Sequence, residues 1–346
     1  MLITILAVVF VFGLLIMVHE AGHLVAAKRV GITVYEFSMG FGPKLFSFNR
    51  NNTLYSLRLF PLGGYVRMAG GEEGEENLEG AYQNKTTGER AQVAAAGPLM
   101  NLVLAAVLFI LVFSVIGIPT ITNSNLIGET LPDWPAAKAG LMPGDRILSI
   151  DHQAVANWEE LVSVIQTHQA VSDPITLEVE REGQYLQFQI TPEINQQRVM
   201  IGIRPQINYE RVGLLTGIKL GFTQTVQLTW AMLQGLGQMV TEGVEPGDLA
   251  GPVGIYQMIG EAAQGGIAYL LYFAGILSIN LAILNLLPIP ALDGSKLVFL
   301  FFEKVRGRGV EPEKEGLINL IGFALLMALV LILTYQDVMR IFTQKG

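Results

Sequence analysis

The 346-residue sequence has no cysteine, only four histidines, and just 15% charged residues. Without cysteine there is no disulfide, internal or to a partner, and no thiolate metal site. Any metal must be held by histidine, aspartate or glutamate. Basic stretches are also missing. Lysine and arginine total 22 against 30 acidic residues, a net charge of −8 with no basic patch, which argues against a nucleic-acid partner. What the chain has in plenty is apolar surface: 51% of its residues are hydrophobic. That composition excludes an ordinary soluble protein and predicts a polytopic protein of the lipid bilayer with some polar mass outside it.

Four runs are long enough to cross a bilayer: residues 2–26, if the ionisable residues near its end are tolerated, and the uncharged runs 93–118, 267–288 and 316–336. The first can be misread as a signal peptide, since "AGHLVAA" offers small residues, but it lacks a positive n-region and its basic pair, Lys28 and Arg29, follows the apolar run. By the positive-inside rule that pair puts the N-terminus outside, loop 27–92 in the cytosol and segment 119–266 outside again. Residues 220–241 are also uncharged. On a helix, however, Phe222, Val226, Trp230, Leu233 and Val240 share one face while Gln227, Gln234 and Gln238 share another. That pattern predicts a helix lying at the membrane surface within a linker over 206–266.

Two segments carry β signals. "NTLYSLRLFPLGGYVRM" in the cytosolic loop has two β-rich runs broken by Pro61, Gly63 and Gly64, a hairpin or small sheet. The acidic, Gly-rich "GGEEGEENLEG" after it reads as a flexible loop. Residues 119–205 give a short helix, a Pro-Gly turn, a strand, an amphipathic helix and a hairpin around Arg-Glu-Gly. The A-x-x-A-G-L-x-P-G-D-x-I pattern there resembles bacterial PDZ domains, which bind extended peptides by strand addition. His152 and His168, on its turn and helix, read as ordinary exposed residues.

The other two histidines stand where they are costly. His19-Glu20-Ala21-Gly22-His23 ends the first apolar run, and ionisable groups within such a helix default to a functional reading. Residues four apart share a helix face, so both imidazoles can bind one ion, with Glu20 placed to act on a water. Zinc suits such a donor set, and a catalytic site leaves one position open. A third ligand is needed, and Asp293 in "LAILNLLPIPALDGSK" is the acidic candidate at a broken helix end, after Pro288 and Pro290. His19 lies about 26 Å along the first span, near its cytosolic end. Asp293 reaches that depth only if 220–241 does not cross.

These residues carry a resemblance. H-E-x-x-H in the first span, "GPLMN" at 97–101, and N-x-x-P-x-P-x-L-D-G at 285–294 resemble the site-2 protease family of intramembrane zinc metalloproteases over nearly the full chain. The bacterial regulator-of-sigma-E branch is the most similar, since "NKTTGERAQVAAAGPLMN", "PLGGYVRM" and "GPVGI" also look like it. The resemblance implies His19, His23 and Asp293 as zinc ligands, Glu20 as general base, and substrate positioning by Asn285. It implies membrane-anchored anti-sigma factors or remnant signal peptides as substrates, and a multi-pass protein of the bacterial plasma membrane with its active site toward the cytosol. Asn101 and Pro98 read as packing residues of the second span. Two departures stand out: room for one PDZ-like domain rather than the tandem pair of enterobacterial members, and Ser295-Lys296 where Gly-Gly is the commoner text.

The expected architecture is therefore a polytopic α-helical membrane protein with four spans and one inserted, extracytoplasmic PDZ-like α/β domain. Residues 1–118 hold two spans around the β-rich loop, and 267–346 hold the last two with a cytosolic loop. The expected function is zinc-dependent intramembrane proteolysis; the alternative is a non-catalytic scaffold presenting a PDZ-like domain, which would not need all four of His19, Glu20, His23 and Asp293.

Overall fold

The computed structural model describes residues 2–70, 78, 80–121, 124–167, 173–195, 198–243 and 250–344. The chain forms two compact units, residues 1–115 with 213–346, and residues 116–212.

The first unit opens with α1 (Leu2–Arg29), then β1 (Val34–Arg50), β2 (Thr53–Met68) and α2 (Thr87–Leu111). Asn51 and Asn52 both take left-handed φ, 49° and 58°, and this tight turn sets Arg50 opposite Thr53. Further along, Met39 pairs with Leu57 on one side and Gly64 on the other. The start of β1 is therefore a central strand flanked by both halves of β2. The outer end of this ribbon leaves Phe41, Leu45, Phe46, Phe48, Leu59 and Phe60 exposed. Most of the acidic run expected to be a loop lies outside the described residues. Helix α2 starts at a capping box: Thr86 accepts from the Glu89 N–H while the Glu89 carboxylate accepts from the Thr86 N–H.

The second unit holds β3 (Ile118–Ile121), β4 (Ile127–Thr130), α3 (Pro135–Lys138), β5 (Arg146–Ile150), β6 (Gln153–Ala154), α4 (Trp158–Thr167), β7 (Ile175–Arg181), β8 (Gln184–Ile190), β9 (Glu193–Asn195), β10 (Arg198–Met200), β11 (Ile203–Pro205) and β12 (Ile207–Glu210). Strands β6-β5-β7-β8 make an antiparallel sheet, and β3 and β4 pair with β12 and β11. Ile147, Ile150, Leu161, Ile175, Leu177 and Val179 are at most 1% exposed and form its core. The β7–β8 hairpin turns at Glu182 and Gly183, as the Arg-Glu-Gly signal predicts. His152 is exposed on a turn, and His168 lies outside the described residues.

One ion pair locks this unit. Asp145, its side chain 1% exposed, accepts from Arg181 Nε and Nη2, both at 2.7 Å, and from the Met142 N–H at 2.8 Å. Burial alone raises the Asp145 carboxyl; Arg181 and that N–H outweigh it and hold the group below its ordinary range. A depressed folded pKa contributes stability that is present above the unfolded value and lost as pH falls through the folded one. Asp145→Asn is expected to cost roughly 1–3 kcal/mol at neutral pH and to flatten the acid limb of the unit's stability. Hydrogen exchange over β5 and β7 in the intact protein measures both.

The first unit resumes with α5 (Leu214–Glu242), α6 (Pro252–Gln264), α7 (Ile267–Leu286), α8 (Asp293–Arg306) and α9 (Pro312–Gln344). Among the described residues, four helical stretches are long and apolar enough to cross a membrane: Leu2–Arg29, Thr87–Ile116, Ile267–Leu286 and Glu313–Arg340. Helix α5 turns Gly217 and Gly221 to Ser114 and Ile110 at the end of the second of these, while Phe222, Val226 and Trp230 stay exposed. Asp337 of α9, an acid at the end of the last apolar run that sequence reading passes over, is buried. It accepts the Gly251 and Gly254 N–H groups that open α6.

Candidate metal centre

Two small residues bring α1 and α2 together. A Cβ on Gly22 would lie 2.4 Å from the Ala96 carbonyl oxygen, and one on Gly97 would lie 2.4 Å from His23 Nε2 and 2.8 Å from His19 Nε2. Both glycines carry helical close approach rather than turn geometry. His19 and His23 are each 8% exposed, and their side chains face this crossing.

The third element arrives by a chain break. Pro288 disfavours helix at the residue before it, and Leu287 is extended (φ −64°, ψ 146°). The chain reverses through Ala291, at φ 72°, and restarts as α8 with Asp293 in its first turn. Gly294 permits the reversal, since a Cβ there would lie 2.1 Å from the Leu287 carbonyl oxygen.

Asp293 Oδ2 thereby sits 3.1 Å from His19 Nε2 and 3.2 Å from His23 Nε2, and the two imidazole nitrogens are 3.2 Å apart. Three ligand atoms on a tetrahedral zinc, each at 2.0–2.1 Å, are about 3.3 Å apart. The triangle therefore fits zinc, and His19, His23 and Asp293 form the group that could hold a metal ion among the described residues. The His23 Nδ1–H donates to the Val93 carbonyl at 2.8 Å, which leaves its Nε2 lone pair facing the triangle. The Asp293 side chain is 11% exposed there. Its other oxygen faces Lys296 Nζ at 3.7 Å.

Glu20 is half-buried beside the two histidines, and Gly64 of β2 lies against its Cγ. Asn285, expected to position substrate, is not among the converging groups: its Nδ2 donates to the Leu281 carbonyl at 3.0 Å, one turn back on α7. Asn101, expected to be a packing residue, is instead in contact with the centre. It is fully buried, with its side-chain nitrogen 3.2 Å from His19 Nδ1. The signal for that role lies in the sequence spacing, since Asn101 follows Gly97 by one helical turn.

The model of peptidase family M50 matches residues 7–329. Zinc metalloprotease RasP of Geobacillus kaustophilus is 36% identical, covering 98% of this chain and 98% of its own. Regulator of sigma-W protease RasP of Bacillus subtilis is 34% identical over 98% and 99%. Probable protease eep of Enterococcus faecalis is 32% identical over 98% and 99%. Among solved structures, a PDZ domain from Listeria monocytogenes covers 25% of this chain and 93% of its own, at 22% identity and a TM-score of 0.22.

Proposed function

This chain belongs to peptidase family M50 and is a multi-pass, zinc-dependent metalloprotease, and we propose that it cuts single-span membrane proteins within or beside their transmembrane segments. In this reading His19, His23 and Asp293 hold the zinc and Glu20 is the general base. The observation that carries it is the triangle of ligand atoms 3.1–3.2 Å apart, assembled from the end of one apolar helix and a break after another.

Zinc supplies Lewis acidity, polarising the scissile carbonyl and acidifying the attacking water. Glu20 accepts the proton of that water and returns it to the leaving amine nitrogen. A helical substrate hides its carbonyls in its own hydrogen bonds, so the scissile stretch must be extended first. The second half of β2, residues 64–68, is an outer strand of its sheet and passes Glu20 at Gly64, so it can pair an extended substrate there. Asn285 then binds substrate backbone with the amide oxygen that its bond to Leu281 leaves free.

The proposed orientation puts the N-terminus and the inserted unit outside and the metal centre toward the cytosol, following the positive-inside rule from Lys28 and Arg29. Contacts within the membrane unit support the matching direction of α1 and α7 on which it depends. Gly260 of α6 packs on Thr4 of α1, and α6 is also capped by Asp337 near the end of α9. Helix α7 follows α6 directly and so starts at the end of the unit where α1 starts, without α5 crossing. The inserted unit, 119–205, is proposed as a PDZ-like filter that admits substrates with trimmed ectodomains. The name of the Bacillus subtilis relative points to membrane-anchored anti-sigma factors as substrates, and remnant signal peptides are a second class of the same chemistry.

The test is cleavage of a single-span reporter in liposomes, with the products mapped by mass spectrometry. A Gly-Pro pair in the reporter's span is expected to raise the rate by at least about tenfold, since helix opening costs less there. A folded external domain is expected to lower it. Equal rates for all reporters, or cuts only in soluble tails, would contradict the proposal.

A further inference from the structure

We infer that Asn101 is a positioning residue for His19: its amide oxygen accepts the His19 Nδ1–H and thereby turns the Nε2 lone pair toward the metal. This rests on the proposed zinc site and explains how one of its ligands is fixed.

A neutral imidazole carries one proton. If it sits on Nε2, that nitrogen cannot ligate; the ligating form of His19 must carry its proton on Nδ1. The hydrogen-bond partner of His19 Nδ1 is the Asn101 side-chain amide, its nitrogen lying 3.2 Å away. An NH2 there would donate to Nδ1 and force the proton onto Nε2. The same orientation leaves Asn101 Oδ1 buried with no hydrogen-bond partner. The oxygen and nitrogen of an amide have nearly the same shape, and their placement is settled by hydrogen bonding. Exchanging them turns the unpartnered oxygen onto the N–H that the ligating tautomer must present.

The exchange also makes the two histidines alike. His23 gives its Nδ1–H to a backbone carbonyl, that of Val93, at 2.8 Å. His19 lies one turn earlier on α1, and a side-chain oxygen from Asn101 takes the equivalent place. The Asn101 backbone is itself held, because Ser278 Oγ of α7 donates to its carbonyl at 2.8 Å. Helix α7 thus fixes α2 at the depth where Asn101 must meet His19.

Zinc retention against a graded chelator separates this role from packing. Asn101→Asp keeps an acceptor oxygen; Asn101→Leu keeps the branching and heavy-atom count in an apolar setting but offers no acceptor. Loss of an acceptor behind a metal-bound histidine is expected to weaken zinc about 10- to 100-fold, so Asn101→Leu should release zinc at that much less chelator. Asn101→Asp should hold zinc within a few-fold of the unaltered protein. A packing residue gives the opposite order, because a buried carboxylate is the worse fit, and that order overturns the inference. A direct readout needs no variant. With four histidines in the chain, nitrogen-15 spectra of histidine-labelled, zinc-loaded protein should show His19 protonated at Nδ1. A proton on Nε2 of His19 overturns the inference even if zinc is bound. Unaltered protein that holds no more zinc than an Asp293→Ala control overturns the site itself and the inference with it.

Discussion

Replacing Glu20 with glutamine is expected to slow proteolysis by orders of magnitude while zinc stays bound. The substitution keeps the size of the side chain and its place on α1, one residue from His19 and three from His23. It removes only the basic oxygen. Glu20 is not one of the three converging ligand atoms, so zinc content should match that of the unaltered protein. A positioned general base contributes typically 10²- to 10⁴-fold, and the rate should fall by about that factor. The assay is cleavage of a single-span reporter alongside metal analysis of the same preparations. Equal cleavage by the two proteins would remove Glu20 from the mechanism. Loss of zinc from Glu20→Gln would make it a ligand instead.

Gly97→Ala is expected to empty the centre although it favours the helix. Alanine is the better helix former by about 0.8–1.0 kcal/mol, so α2 itself should gain. The added methyl, however, would lie 2.4 Å from His23 Nε2 and 2.8 Å from His19 Nε2, far inside contact distance. Either the imidazoles swing away or α1 and α2 separate, and both break the ligand triangle. A misplacement of about 1 Å at a reacting site costs on the order of 10²-fold, and lost zinc costs more. Activity should therefore drop at least about 100-fold with zinc content falling in step. Gly13→Ala is the control, because a Cβ at Gly13 meets nothing within 4 Å. It should be nearly neutral in activity and zinc content. A Gly97→Ala protein that is fully loaded and active would show that the histidines do not lie where they are drawn.

The sequence displays the metal centre unusually well, because its parts are exceptions. Two histidines and a glutamate in an apolar run, and an aspartate after two prolines, conflict with their surroundings, and that conflict is visible without coordinates. The hairpin in the inserted unit was equally legible, since Glu182 and Gly183 supply the left-handed turn that joins two alternating runs. Long-range pairing was not. The double pairing of β1 with both halves of β2 depends on where the chain turns back near Pro61, and β-register at that distance leaves little local trace. Helix α6 was missed because its cap is supplied by Asp337, more than eighty residues away. Asn101 reads as a packing residue in the sequence, and Gly97 has no role of its own there, for a related reason. A small residue and an amide on an apolar helix look the same whether they meet a neighbouring helix or an imidazole. Only the partner decides, and the partner is on α1.

The account turns on one ion held by two imidazoles and a carboxylate. X-ray absorption at the zinc edge of the purified protein tests this most directly. The predicted spectrum has one zinc per chain, two imidazole nitrogens at about 2.0–2.1 Å and oxygen ligands for the rest, with one oxygen altered in Asp293→Ala. A zinc site unchanged by Asp293→Ala, or one with fewer than two imidazoles, would contradict it.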